Sequence, residues 1–174
     1  LFLNTHPEEI GKPELVESLR RLRKLDSKVA LTLEIHESHV TNLGVMRALR
    51  EELKDLNIQL AYDDFGVGQT RLLDLSEIPP DTLKFDMSLV QGLYRAGIKR
   101  QQMVATLVMM VRDFGITPLA EGIESREDME ICRKIGFQLA QGYFFGHPHP
   151  ADHFDFSHGE TVLSGGETMV DCDR

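Results

Sequence analysis

Val45-Met46-Arg47-Ala48-Leu49-Arg50-Glu51-Glu52-Leu53-Lys54-Asp55-Leu56-Asn57-Ile58-Gln59-Leu60-Ala61-Tyr62-Asp63-Asp64 changes character in its middle. Up to Leu56 the apolar residues Leu49, Leu53 and Leu56 recur at the spacing of one helix face. From Ile58 the chain becomes a short β-rich run, and that run stops on two adjacent aspartates. A helix followed at once by a strand is half of a β/α unit, and the same change repeats along the chain.

Strands are expected at Leu1–Asn4, Ala30–His36, Ile58–Asp64, Thr82–Asp86, Thr117–Ile123 and Gln138–Phe145. Helical stretches lie between them. Pro13 to Leu25 carries Leu15, Leu19 and Leu22 at helical spacing, with Pro13 suited to the first turn. Lys99 to Phe114 carries Met103, Leu107, Met110, Val111 and Phe114, a stripe that reads as core. Ser125 to Ile135 begins on a capping serine with Asp128 three positions on. Strands alternating with helices imply parallel strands joined by crossover helices. Six such units fit two architectures, a doubly wound sheet or a (β/α)8 barrel lacking some units. The chain opens on a strand with no lead-in, as expected of a barrel missing its first two units. Beyond Ala151 the pattern fades, so residues 1–157 read as one domain. Residues 158–174, with Gly159, Gly165 and Gly166, read as a C-terminal tail or linker.

The chain has 174 residues, enough for one domain with its own core. Its formal net charge of -9 opposes binding to a nucleic-acid polymer, which requires a basic face. No apolar run is long enough to cross a bilayer, so no direct membrane contact is expected. Cys132 and Cys172 sit in no metal or redox spacing, as in a cytoplasmic protein with reduced thiols.

Chemistry gathers at the strand ends. The first strand ends in Asn4, the second carries Glu34 and Glu37, and the third ends in Asp63–Asp64. The fourth carries Lys84 and Asp86, the fifth leads to Glu121 and Glu124, and the sixth contains Gln141. One acidic residue after a strand is usually a helix cap. Six strands in succession ending on polar groups point instead to a ligand site at the carboxyl ends, where parallel α/β folds bind their ligands. Alternation puts Glu34 on the face of Thr32, and Lys84 on the face of Asp86. Adjacent residues point to opposite sides of a strand, so Asp63 and Asp64 both reach one site only where the strand turns. Asn4, Glu34, Asp63, Asp64 and Glu121 are hard oxygen donors suited to Mg²⁺ or Mn²⁺. Two such ions clamp the attacking and leaving oxygens of a phosphodiester. Lys84 reads as a lysine that holds a water or neutralises charge in a transition state, against the alternative of a structural ion pair.

Three other features carry less. Gly66-Val67-Gly68 has Arg71 where a dinucleotide loop needs its third glycine, and two aspartates precede it. His147, His149 and His153 cluster with Asp152, but Pro148 and Pro150 separate the imidazoles. His6 and His36, each alone, read as satisfied polar residues near strand ends.

Taken together, these segments resemble the EAL domain family. Asp63-Asp64-Phe65-Gly66-Val67-Gly68 resembles its DDFGTG loop, and Leu83-Lys84-Phe85-Asp86 its LKID strand. Ala120-Glu121-Gly122-Ile123-Glu124-Ser125 is similar to AEGVET, Gln141-Gly142-Tyr143-Phe144-Phe145-Gly146-His147-Pro148 to QGYYFGRP, and Leu33-Glu34-Ile35-His36-Glu37-Ser38 to LEITES. The resemblance runs to about Pro150, in family order. It implies a (β/α)8 TIM-like barrel, here short of its N-terminal units. It implies metal binding by Asn4, Glu34, Asp63 and Asp64, and assistance by Glu121 at a second metal or its water. It further implies that Lys84 positions the nucleophilic water and that Glu124 and Gln141 support the site. Gln141, Asp86 and Pro148 are expected near the substrate. The implied activity is metal-dependent hydrolysis of cyclic di-GMP to linear pGpG in bacterial signalling, with two Mg²⁺ or Mn²⁺ ions, by a homodimer. The implied dimer contact is the helical region after Lys84 together with the Asp64–Arg71 loop. The Glu-Ala-Leu segment that names the family is not in this chain, so this stretch alone is expected to be inactive. Gln69-Thr70-Arg71 stands where the family has Tyr-Ser-Ser, and His36 where it has Thr. The alternative function is an EAL-type receptor that binds cyclic di-GMP without cutting it. A third reading is an unrelated magnesium-dependent barrel lyase, which needs a base on a different strand.

Overall fold

Leu31, Leu33 and Ile35 are buried, and so are Leu60 and Tyr62 across from them. These residues weld the centre of a parallel sheet. The computed structural model describes residues 1–36, 42–67, 72–148 and the backbone of 170–171. Strand β2 (Leu31–His36) lies between β1 (Phe2–Asn4) and β3 (Ile58–Phe65), parallel to both. The crossovers are helices α1 (Pro13–Leu25) and α2 (Leu43–Asp55). Pro13 opens α1 at a position where its missing N–H costs nothing. Asn42 caps α2 by accepting from Gly44 N and Val45 N, so that helix starts two residues before the apolar spacing predicts. Leu19 of α1 and Met46, Leu49 and Leu53 of α2 enter the core. Arg23, at the end of α1, donates to Leu56 O at 2.9 Å, Asn57 O at 2.7 Å and Val29 O at 2.7 Å. That satisfies carbonyls beyond the end of α2 that no helical bond reaches. A short helix α3 (Leu72–Glu77), not foreseen from spacing, follows β3.

The chain divides into two compact units. Leu1–Lys84 with Phe114–Ile116 form the first, and Phe85–Asp113 with Thr117–Arg174 the second. Strand β4 (Thr82–Phe85) contributes its first three residues to the first unit and Phe85 to the second.

In the second unit, β5 (Thr117–Ala120) and β6 (Leu139–Ala140) pair in parallel across helix α6 (Arg126–Ile135). Ser125 caps α6 as expected, its Oγ accepting from Asp128 N at 3.1 Å. Phe85 meets Phe137 edge to face at 5.0 Å. Helices α4 (Met87–Val90) and α5 (Ile98–Asp113) complete the unit, α4 again unforeseen.

Several details differ from what the spacing predicts. The sixth strand is two residues long, not eight, because Gly142 at φ +150° turns the chain out of the sheet directly after Gln141. The buried face of α5 is Val104, Val108 and Val111, while Met103 and Phe114 are about half exposed. That helix is apolar on several sides, so spacing alone finds Val111 and misses Val104 and Val108. A short β7 (Val170–Asp171) runs antiparallel to β6, inside the segment expected to be a tail. Glu37, Gly68 to Arg71, His149, Pro150, Asp152, His153 and Cys172 lie outside the described residues. Among the described residues no helix is long and apolar enough to cross a membrane.

Candidate functional site

Register builds the acidic cluster of the first unit. Asn4 sits beside Glu34, Glu34 beside Ala61, and His36 beside Asp63. In a parallel sheet, residues at one level project the same way, so Asn4, Glu34, His36 and Asp63 share a face. Lys84, from β4, reaches into that group. Its Nζ lies 2.7 Å from Glu34 Oε1 and 3.0 Å from Asp63 Oδ1. The side chains of Lys84 and Glu34 are only 5% and 6% exposed, which forces both charges to find partners inside the protein. Asp63 is more open, and the ring of Phe2 lies 5.9 Å from the ammonium.

Asp64 solves the problem of two neighbouring aspartates on one strand. Its φ is +60°, the left-handed region that aspartate tolerates better than most side chains. Its N–H donates to Asp63 Oδ1 at 3.0 Å. This kink breaks the alternation of β3, and Asp64 Oδ2 comes within 2.8 Å of His36 Nε2. The turn that the sequence required at this point is therefore a single left-handed residue.

Within the second unit, Glu121 and Gln141 form a pair. Gln141 Nε2 donates to Glu121 Oε1 at 2.7 Å. The backbone fixes both ends of this bond: Glu121 N donates to Phe85 O, Gln141 N to Ala120 O, and Ile123 N to Gln141 O. Gly142 makes the approach possible, because a Cβ there would lie 2.3 Å from the backbone N and O of Ile123. Glu124 is exposed in the turn before the Ser125 cap, and Pro148 is exposed. Asp86 Oδ1 accepts from Ser88 N at 2.8 Å and caps α4. Lys84 and Asp86, expected to share a face and point together, thus engage different partners.

The donor chemistry of the first unit fits a hard divalent cation. Glu34, Asp63 and Asp64 offer carboxylate oxygens, with the Asn4 amide level with Glu34. Lys84 does not preclude this, since each carboxylate has two oxygens and about four lone-pair positions.

Of the histidines, His6 caps the 3-10 turn Pro7–Glu9, accepting at Nδ1 from Glu8 N. His147 stacks on Tyr143 with ring centroids 4.4 Å apart. His36 is the residue that sequence reasoning set aside and the structure brings to the carboxylates. The available signal was its place two residues after Glu34, on the same face of β2.

A family model described as EAL domain matches residues 1–148. Over 166 residues the chain is 30% identical to the cyclic di-GMP phosphodiesterase RocR of Pseudomonas aeruginosa, aligning 88% of this chain with 40% of RocR. The chain thus spans well under half the length of that relative. Klebsiella pneumoniae BlrP1, solved as a manganese and cyclic di-GMP complex, matches with a TM-score of 0.74 at 31% identity, over 83% of this chain and 38% of BlrP1. The EAL domain of Pseudomonas aeruginosa FimX, solved with cyclic di-GMP bound, gives a TM-score of 0.78 at 23% identity, over 90% of this chain and 65% of that one. The FimX match is a likeness of fold alone. The strand and helix order of this chain is that of the TIM-like barrels of these proteins.

Proposed function

Because the chain belongs to the EAL domain family, we propose that it forms the metal-binding part of a phosphodiesterase that hydrolyses cyclic di-GMP to linear pGpG. Asn4, Glu34, Asp63 and Asp64 hold Mg²⁺ or Mn²⁺, and Glu121 assists at a second ion or its water. When bound, such ions activate a water and stabilise charge on the phosphoryl oxygens. Lys84 keeps its ammonium at a fixed place between Glu34 and Asp63, where it holds the attacking water and offsets negative charge that grows in the transition state. Water oxygen bonds to phosphorus, the bond to the 3′ oxygen breaks, and that oxygen leaves with a proton. Gln141 fixes the Glu121 carboxylate through its donated hydrogen bond. Glu124 supports the site, and Asp86 and Pro148 lie towards the nucleotide. On the same resemblance the active form is a homodimer.

The observation that carries this reading is a buried ammonium 2.7 Å and 3.0 Å from two carboxylates at strand ends, with a third carboxylate turned towards the same face by a left-handed residue. The test is Asp63→Asn in the full-length protein that carries this chain. Release of pGpG should fall on the order of a thousandfold or more, with the thermal midpoint little changed. A variant that cleaves near the wild-type rate in saturating Mg²⁺ overturns the assignment. A wild-type protein that binds cyclic di-GMP and releases no pGpG makes it a receptor instead.

A further inference from the structure

Lysine and histidine side chains both reach the carboxylates of the cluster. Lys84 takes Glu34 and Asp63, and His36 takes Asp64. We propose that His36 is a positioning residue for Asp64, and that its imidazole holds that carboxylate in the orientation in which it binds a divalent cation. The proposal rests on the metal-binding reading above.

Three observations carry it. The first is distance: Nε2 and Oδ2 are 2.8 Å apart, the length of a charge-assisted hydrogen bond. An ionised carboxylate has no proton to give, so Nε2–H is the donor. The second is the backbone. Asp64 sits at φ +60°, a conformation that costs an L-residue on the order of 1 kcal/mol and persists only where surrounding contacts impose it. The third is charge. Asp64 follows Asp63 directly, and mutual repulsion drives an open carboxylate outwards unless a donor retains it. His36 is the register neighbour of Asp63 on β2, so the sheet itself sets the imidazole at the required height. With Oδ2 engaged by His36, Oδ1 is the oxygen presented to a cation. Donors that orient metal-binding side chains typically affect affinity by about 10- to 100-fold.

The full-length protein, metal-free, is titrated with Mn²⁺ alone, following free Mn²⁺ by electron paramagnetic resonance and heat by calorimetry. His36→Ala should weaken Mn²⁺ binding about tenfold or more. His36→Leu, which fills similar volume without a donor, should weaken it alike. His36→Gln, whose amide nitrogen reaches the position of Nε2, should recover most of the loss. Thermal midpoints taken alongside separate this from a merely structural role, which would move the midpoint and leave Mn²⁺ affinity alone. If the alanine and leucine variants fold and bind Mn²⁺ as the wild type does, the proposal is wrong. If the wild type itself takes up no Mn²⁺, the metal-binding reading has failed instead.

Discussion

Replacing Lys84 by Met removes one charge while keeping the length and most of the volume of the side chain. At an effective dielectric of about 20, the gross attraction of the ammonium is about 6 kcal/mol to Glu34 and about 5.5 kcal/mol to Asp63, from the 2.7 Å and 3.0 Å separations. Desolvation of the buried ions, several kcal/mol each, cancels much of this. The wild-type cluster therefore contributes little net stability. The mutant does not inherit that balance. Glu34, 6% exposed, keeps its desolvation cost and loses the ammonium that lies 2.7 Å from it. Removing one member of such a cluster costs about 3–5 kcal/mol, or about 10 °C in thermal midpoint for a chain of this length. Differential scanning calorimetry on Lys84→Met checks this. Adding Glu34→Gln should return part of the loss, because it removes a buried charge that the ammonium no longer offsets. Millimolar Mn²⁺ should also stabilise the single mutant, since a cation bound only to the folded state raises its stability by mass action. A loss below about 1 kcal/mol would refute the argument, because exposed pairs are worth that little and the cluster would then have to be open to water.

Two further expectations test the frame around the cluster. Burial pushes the Asp81 carboxyl up, but two hydrogen bonds from Arg50 and one from Leu60 N outweigh it and hold Asp81 below its ordinary value. Its stabilisation is therefore complete above the unfolded value near 3.9 and is lost as pH falls through the lower folded value. Asp81→Asn should cost about 2 kcal/mol at pH 7, between the figures for exposed and buried pairs; urea unfolding should show the gap to wild type closing below about pH 4. Gly142→Ala should cost about 3 kcal/mol or more, since its Cβ meets the Ile123 backbone at 2.3 Å, whereas Gly92→Ala, at φ +66° with nothing within 4 Å, should cost about 1 kcal/mol. Equal thermal midpoints for the two would mean that the close approach at Gly142 does not exist.

Periodicity made much of the fold legible. Pro13–Leu25 is helical over the range that the leucine spacing and Pro13 predict, and Ser125 caps α6 as its sequence suggests. Such signals are local: a cap or an apolar repeat acts within a few residues of itself. The α5 stripe was not legible in the same way. Met103, Leu107 and Val111 satisfy helical spacing as well as Val104, Val108 and Val111 do, and only the packing partner selects between them. The shortness of β6 was hidden for a related reason. Gly142 signals freedom, but the need for it comes from Ile123, nineteen residues earlier.

By itself the sequence determined the residue types at the strand ends, their order, and the requirement that the chain turn between Asp63 and Asp64. Hydrogen-bonded periodicity and donor chemistry are properties of short stretches, so a single chain of letters carries them. Tertiary structure decided who meets whom. Lys84 chose Glu34 and Asp63 over Asp86, and His36 became the partner of Asp64. Those pairings join residues 50, 21 and 28 positions apart. They depend on the parallel register that sets β2 beside β3 and on a buried charge finding the nearest opposite one, and neither is written in any local stretch of sequence.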